Sequence, residues 1–222
     1  MAQPGRISIV TALILCIRLY RLWVAAVAGY LIGCILSAEI AMRFANRGKA
    51  DKVDLRSVGS GNPGGANALS NLGKGWGAGV ILGDIAKGAV GAQAGRVIAG
   101  DGGAYAAAIG AVAGHCFPAF AKFRGGKGVG TSAGTTLICF PAYVPIDIAL
   151  VGLSFFWSKH AGKATAVAIS VFCLAALTWK LGRWPIAWGT KATWGLPLYA
   201  WSTSAIIGYK FLSAPKHMGD RK

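Results

Sequence analysis

The sequence predicts an all-α integral membrane protein of about seven transmembrane helices, with glycine-rich basic loops gathered on the cytoplasmic side. Three observations predict it. The 222 residues are 55% hydrophobic and only 14% charged, where a soluble domain carries about a quarter, and mean hydropathy is +0.53. Apolar runs of helical length recur along the chain, each near the roughly 20 residues a span requires. The polar stretches between them are rich in glycine and in Lys and Arg.

The first span reads from Leu22 to about Ala45, followed by a polar, glycine-rich stretch, Asn46 to about Gly75. The second runs from Trp76 to Ile98 and the third from Ala104 to about Ala121, before a basic loop, Lys122–Gly128. Phe140-Pro141 and Val144-Pro145 interrupt the next apolar run. Proline lacks the amide donor and clashes with the preceding turn. A short helix ending near Phe140 and a second over Pro145–Trp157 are therefore expected. Lys163–Trp179 and Trp194–Leu212 complete the seven. Residues 1–21 form a leader in which Arg6 and the apolar Ile7–Ile17 resemble the start of a signal peptide. Arg18 and Arg21 interrupt that run, and the Ala26–Ala28 candidate cleavage site lies inside the first span. This favours an uncleaved leader or a start codon placed too early. Residues 22–214 form the polytopic domain and 215–222 a basic cytoplasmic tail.

Charge sets the orientation. With the 46–75 stretch inside, the inner segments and Arg43 hold 15 of the 23 basic residues. The outer segments hold four, Arg96, Lys180, Arg183 and Lys191, as the positive-inside rule demands. Trp179, Trp184, Trp188 and Trp194 give the outer side an aromatic belt. A formal charge of +16 does not indicate nucleic acid, because the basic residues lie between apolar spans. Anionic headgroups and anionic substrates are the natural partners. The five cysteines form no CxxC pair and the three histidines are far apart, so neither a disulfide framework nor a metal site is expected.

Two loops carry chemistry. Asp54–Asn67 places Gly59, Gly61, Gly64 and Gly65 among Arg56, Ser60, Asn62 and Asn67. Glycines let successive N–H groups turn inward into an anion-binding nest; the other reading is a plain flexible loop. Gly114-His115-Cys116-Phe117-Pro118 leads to Phe123-Arg124-Gly125-Gly126-Lys127-Gly128-Val129-Gly130-Thr131. There two glycines sit between cations just before a helix N-terminus, which favours phosphate. Gly128 after Lys127 excludes a Walker A motif. Two such loops on one membrane face weigh against positive-inside charge as the whole explanation. Asp84 and Lys87, three apart in the second span, share a helix face. They form a structural ion pair or a substrate contact, and Glu39 is a candidate to join them.

These strings resemble the bacterial membrane acyl-phosphate:glycerol-3-phosphate acyltransferases, the PlsY family. Gly59-Ser60-Gly61-Asn62-Pro63-Gly64 with Asn67, Asp84 with Lys87-Gly88, and Gly114-His115 through Gly130 match in order and spacing over residues 29 to 140. The resemblance implies a seven-helix enzyme of the bacterial inner (plasma) membrane with its site on the cytoplasmic face. It implies acyl transfer from acyl phosphate to the 1-hydroxyl of glycerol 3-phosphate, giving lysophosphatidic acid and phosphate, without cofactor or metal. On that reading Ser60, His115 and Lys127 are catalytic. Arg56, Gly61, Asn62, Gly64, Asn67, Arg124, Gly125, Gly126 and Thr131 hold substrate phosphate. His115 either takes the hydroxyl proton, orients a phosphate, or makes a structural hydrogen bond at a helix end.

The chain departs from the family pattern in three places. Gly65-Ala66 replace an Ala-Thr, and Gly162 replaces a serine. The C-terminal Arg-His-x-x-Asn-Ile-x-Arg-Leu element is not recognisable in Tyr209–Lys216. Lys159, Lys163, Lys210 and Lys216 are the nearby cations that could replace lost phosphate contacts. The alternative reading is a catalytically impaired paralogue that binds a phosphorylated lipid or anion.

Overall fold

The computed structural model describes residues 8–157, 161–186 and 192–214. Among them the regular structure is wholly helical: α1 Ile9–Gly33, α2 Ser37–Ala45, α3 Gly65–Asn71, α4 Lys74–Cys116, α5 Val129–Cys139, α6 Val144–Trp157, α7 Ala161–Leu181 and α8 Gly195–Leu212. Leucine, isoleucine and valine side chains stay exposed on the outside of the bundle, which suits lipid as the solvent. The α1–α2 unit, α4 and α7 are long and apolar enough to cross a membrane.

The 43 residues of α4 would reach about 65 Å as a straight helix, roughly twice the thickness of a bilayer core. Instead α4 folds into a hairpin at Ala99 (φ −140°, ψ 27°) and Gly100 (φ 64°, ψ −153°). The Gly100 backbone lies in a region that side chains avoid. The two arms pack backbone to backbone, so that a methyl on Gly95 would strike the Gly103 carbonyl and one on Gly103 the Gly95 carbonyl. The arms are the expected second and third spans. Against the second arm lies α1, with Gly29 and Gly33 set on Ala107 and Ala111, and Gly110 and Gly114 set on Ala26 and Tyr30. Small residues at i and i+4 permit such close approach, and in lipid, dispersion at this distance replaces the hydrophobic effect as the adhesive force.

The expected broken span is present. α5 and α6 meet at a bend of 119°, where Phe140 leaves the helical region (φ −147°, ψ 59°) and Pro141 follows. With 11 residues, α5 is about 16 Å long and cannot cross alone. At this end Phe140, Tyr143, Phe172 and Tyr199 form a buried aromatic core. The Tyr199 hydroxyl lies 2.7 Å from that of Thr135 and 3.1 Å from that of Thr136.

Two expectations need correction. The first helix begins at Ile9, not Leu22, so residues 9–21 continue it without interruption. It then breaks at residues 34–36 before α2, instead of running to Ala45 as one rod. The glycine-rich stretch also contains a helix, α3, that its composition hides. Of the tryptophans read as an outer belt, Trp179 and Trp184 pack edge to face at 4.8 Å. Trp188, Lys191, Lys159, Lys216 and the basic tail lie outside the described residues.

Candidate active site

The first loop is built around Asn67. Its buried amide nitrogen donates to the carbonyls of Leu55 (2.8 Å), Val58 (3.0 Å) and Asn62 (3.1 Å). Its oxygen accepts from the Ser60 amide (3.1 Å) and the Asn71 side chain (2.9 Å). Every polar capacity of Asn67 is thus consumed in shaping the loop, and it has none left for a phosphate. Gly59 (φ 54°) and Gly61 (φ 64°) make the turns that wrap the chain around it. Leu55 anchors the loop from beneath, fully buried with Ala38, Met42, Ala68 and Val80. Gly65 is set by packing: a methyl there would strike the Ile81 side chain. Ser60 and Gly61 stay exposed, and Asn62 is half-buried.

Arg56 ties this loop to two others. One guanidinium nitrogen pairs with Glu39 at the start of α2, and another donates to the Arg124 carbonyl at 3.0 Å. Glu39 is therefore partnered by Arg56 and does not join Asp84 and Lys87. Arg56 staples the two glycine loops together, with much of its hydrogen-bonding fork already engaged.

The second loop folds back over the end of α4. The Gly126 amide donates to the His115 carbonyl at 3.2 Å. A methyl on Gly125 would strike that carbonyl; one on Gly126 would strike the His115 ring at Nε2 and come within 3.2 Å of the Pro63 carbonyl. The glycine pair is what lets the backbone lie flat across the imidazole, at the seam with the first loop. Gly128 (φ 86°) then starts α5. Thr131, in its first turn, is fully buried, and its hydroxyl has no partner among the described residues. The Arg124 side chain is exposed.

Beneath the seam lies a buried charged triad. Lys87 Nζ sits 3.0 Å from Asp84 Oδ1, 2.7 Å from His115 Nδ1 and 2.8 Å from the Ile35 carbonyl. An ammonium has three hydrogens and no lone pair; two of them go to His115 and Ile35, and the remaining side of the ammonium faces Asp84 as an ion pair. Lys87 is saturated, and this geometry favours the structural reading of the pair. It also explains the break after α1, which leaves the Ile35 carbonyl free to receive Lys87. Because Nδ1 must accept from the ammonium, the neutral imidazole carries its proton on Nε2, the nitrogen facing Gly126. In this state His115 is a donor toward the loop and not a base.

Lys127 is half-buried, with Nζ 4.2 Å from the centre of the Phe211 ring. No carboxylate pairs with it among the described residues, and burial lowers its pKa below the ordinary lysine value. A cation left without a counter-charge beside a glycine loop and a helix N-terminus is suited to an anion.

The glycerol-3-phosphate acyltransferase family profile matches residues 23–217. The chain belongs to that family. Glycerol-3-phosphate acyltransferases to which it is similar include that of Thermoanaerobacter pseudethanolicus, 36% identical over 155 residues, 69% of this chain and 76% of the relative. Another is that of Rubrobacter xylanophilus, 34% identical over 174 residues, 75% and 83% of the two chains. Two crystal structures of PlsY (YgiH), an integral membrane glycerol 3-phosphate acyltransferase, share the fold. The glycerol 3-phosphate form has a TM-score of 0.67 and 28% identity over 88% of each chain. The lysophosphatidic acid form has a TM-score of 0.66 and 26% identity over 88% of this chain and 94% of that one. This glycerol-3-phosphate acyltransferase family member is accordingly an integral membrane protein.

Sequence reasoning named Lys210 as a candidate cation but missed three parts of the site: the Ile35 carbonyl, the link from Lys87 to His115, and the ring contacts of Phe117 and Phe211 with Lys210 and Lys127. Only the ring contacts carried a signal, the aromatics Tyr209 and Phe211 on either side of Lys210.

Proposed function

We propose that this protein transfers a fatty acyl group from acyl phosphate to the 1-hydroxyl of glycerol 3-phosphate, giving lysophosphatidic acid and inorganic phosphate. The observation that carries the proposal is the seam itself. Two glycine loops meet over His115, beside a lysine with no carboxylate partner among the described residues, in a chain of this family. Both substrates are phosphate monoanions or dianions, and an acyl phosphate is already activated. Positioning and charge stabilisation are therefore the main demands on the protein. Lys127, the Ser60 hydroxyl and the loop amides of Asn62 and Gly125 hold phosphate oxygens, while the amides of Gly61, Gly64 and Gly126 donate to the Val58, Asn62 and His115 carbonyls and shape the loops. Arg124 and the first turn of α5 at Thr131 add positive potential. Arg56 and Asn67 act through the loops that they shape. The acceptor oxygen forms a bond to the acyl carbon, the bond from that carbon to the phosphate oxygen breaks, and the departing phosphate takes the hydroxyl proton. His115, with Nε2–H toward the loop, orients instead of deprotonating.

The seam faces the cytoplasm of a bacterial inner membrane on this reading. Its support is the sequence assignment of 15 of 23 basic residues to the inner segments. The test is phosphate release from palmitoyl phosphate by purified protein in lipid, with and without glycerol 3-phosphate. Release that depends on glycerol 3-phosphate and yields lysophosphatidic acid supports the proposal. Folded protein that binds palmitoyl phosphate but turns over at no acceptor concentration would instead be a non-catalytic binder of phosphorylated lipid.

A further inference from the structure

We infer that Lys210, on the last turn of α8, is a positioning cation that closes the phosphate site opposite Lys127; this rests on the function proposed above. Lys210 Nζ lies 5.2 Å from the centre of the Phe117 ring, while Lys127 Nζ lies 4.2 Å from the Phe211 ring. The contacts interlock. Phe211 follows Lys210 in α8, and Phe117 is two residues beyond His115 in the second loop. Each element thus supplies one cation and the ring that holds the other's. The Phe117 and Tyr209 rings pack at 5.9 Å, and Val112, Cys116 and Ile207 form a small buried core beneath them. Gly128 docks into that core, where a methyl would lie 2.8 Å from Cys116 Sγ and 3.3 Å from Ile207 Cγ1. The end of α8 is therefore fixed against the loop that carries Lys127. Lys210 is also near enough for its charge to act on His115 and Cys116.

Neither ammonium has a carboxylate partner among the described residues, whose ion pairs join Arg56 to Glu39, Lys87 to Asp84 and, if charged, His115 to Asp84. Two half-buried like charges on adjoining elements repel, and an aromatic face offsets little of that. A phosphate between them removes the repulsion and replaces ring contacts with charge-assisted hydrogen bonds. The rings keep both side chains in place until the anion arrives. Lys163 is exposed, and no ring holds it among the described residues.

The test uses the full chain in lipid nanodiscs, with glycerol 3-phosphate and inorganic phosphate as probes. Lys210→Met removes the charge and keeps the length, and Lys210→Arg keeps the charge. The dissociation constant and KM for glycerol 3-phosphate should rise about tenfold or more in Lys210→Met, with kcat at saturation little changed. Lys210→Arg should recover most of the affinity. Lys180→Met is the control: Lys180 lies over the Trp194 ring at 5.5 Å, at the opposite end of α8, and its loss should change neither constant. A measurement on the unaltered protein guards against a variant that does not fold. Glycerol 3-phosphate or phosphate should protect Lys210 and Lys127 together from an amine-reactive label, read by mass spectrometry. Unprotected Lys210, or a folded Lys210→Met with unchanged affinity, overturns the inference even if acyl transfer is intact. Protection and binding without turnover of palmitoyl phosphate would instead uphold the clamp and sink the proposed reaction.

Discussion

Replacing Lys87 with methionine keeps the length of the side chain and removes its charge and three donors. The cost can be worked from the contacts. Asp84 is left as a buried carboxylate without its cation at 3.0 Å, a loss of about 3–5 kcal/mol for breaking a buried pair from one side. The Ile35 carbonyl loses its donor at 2.8 Å, worth roughly another 1 kcal/mol. At about 2–4 °C per kcal/mol for a chain of this size, the melting point should fall by on the order of 10 °C. Asp84→Asn alone should also destabilise, by leaving the ammonium without its counter-charge. The double variant Asp84→Asn/Lys87→Gln restores a neutral, hydrogen-bonding pair, so it should melt above both single variants. The coupling should exceed roughly 1 kcal/mol, as for residues in direct contact. The assay is thermal unfolding of the purified protein in one detergent for all four forms, with expression level as a second readout. Single variants that melt with the unaltered protein but are inactive would show that the pair contacts substrate and would refute the structural assignment.

Lys127→Ala should lower acyl transfer at least about a hundredfold, the effect of removing one charge-stabilising donor, and Lys127→Arg should restore only part of it; an undiminished rate in the alanine variant removes Lys127 from the chemistry. Because burial lowers the Lys127 pKa, its ammonium is lost at a lower pH than that of an exposed lysine. Activity should therefore decline as pH rises through that value, whereas the residual activity of Lys127→Arg should not, since a guanidinium does not titrate there. Superimposable alkaline limbs would contradict this. Gly126→Ala sets a methyl against the His115 ring and should cost about 1–3 kcal/mol of overpacking strain, seen as a lowered melting point with a larger loss of kcat/KM; normal kinetics would mean that the loop does not lie flat on the imidazole. Asn67→Asp replaces a donor facing three carbonyls with an acceptor and should expose the 56–67 loop to limited proteolysis, while a cleavage pattern like that of the unaltered chain would refute the hub.

Much of the fold was legible because the bilayer acts on composition. The hairpin arms of α4, the break at Phe140-Pro141 and the helices α7 and α8 follow from runs of apolar residues and their interrupters. The break after α1 was not legible, since no proline or polar cluster marks residues 34–36. It exists because the Ile35 carbonyl is taken by a lysine from another helix. α3 was hidden because seven residues among glycines carry too little periodicity to stand out.

The candidate site divides in the same way. Glycine and basic residues at given spacings, Gly59 to Asn67 and Gly125 to Lys127, announce backbone that can turn sharply near positive charge, a property of short stretches of chain. Which polar groups remain available to a ligand is another matter. Arg56 meets the Arg124 carbonyl 68 positions away, Lys87 meets His115 at 28 and Ile35 at 52, and Tyr30 donates to the Phe117 carbonyl at 87. By itself the sequence determined the solvent, most of the helices and the place of the two glycine loops, because hydropathy and backbone freedom are local. Only the tertiary structure decided that Arg56, Asn67 and Lys87 are already engaged while Lys127 and Lys210 have no carboxylate beside them among the described residues. Hydrogen bonds and ion pairs form by distance in space, which the order of residues does not contain.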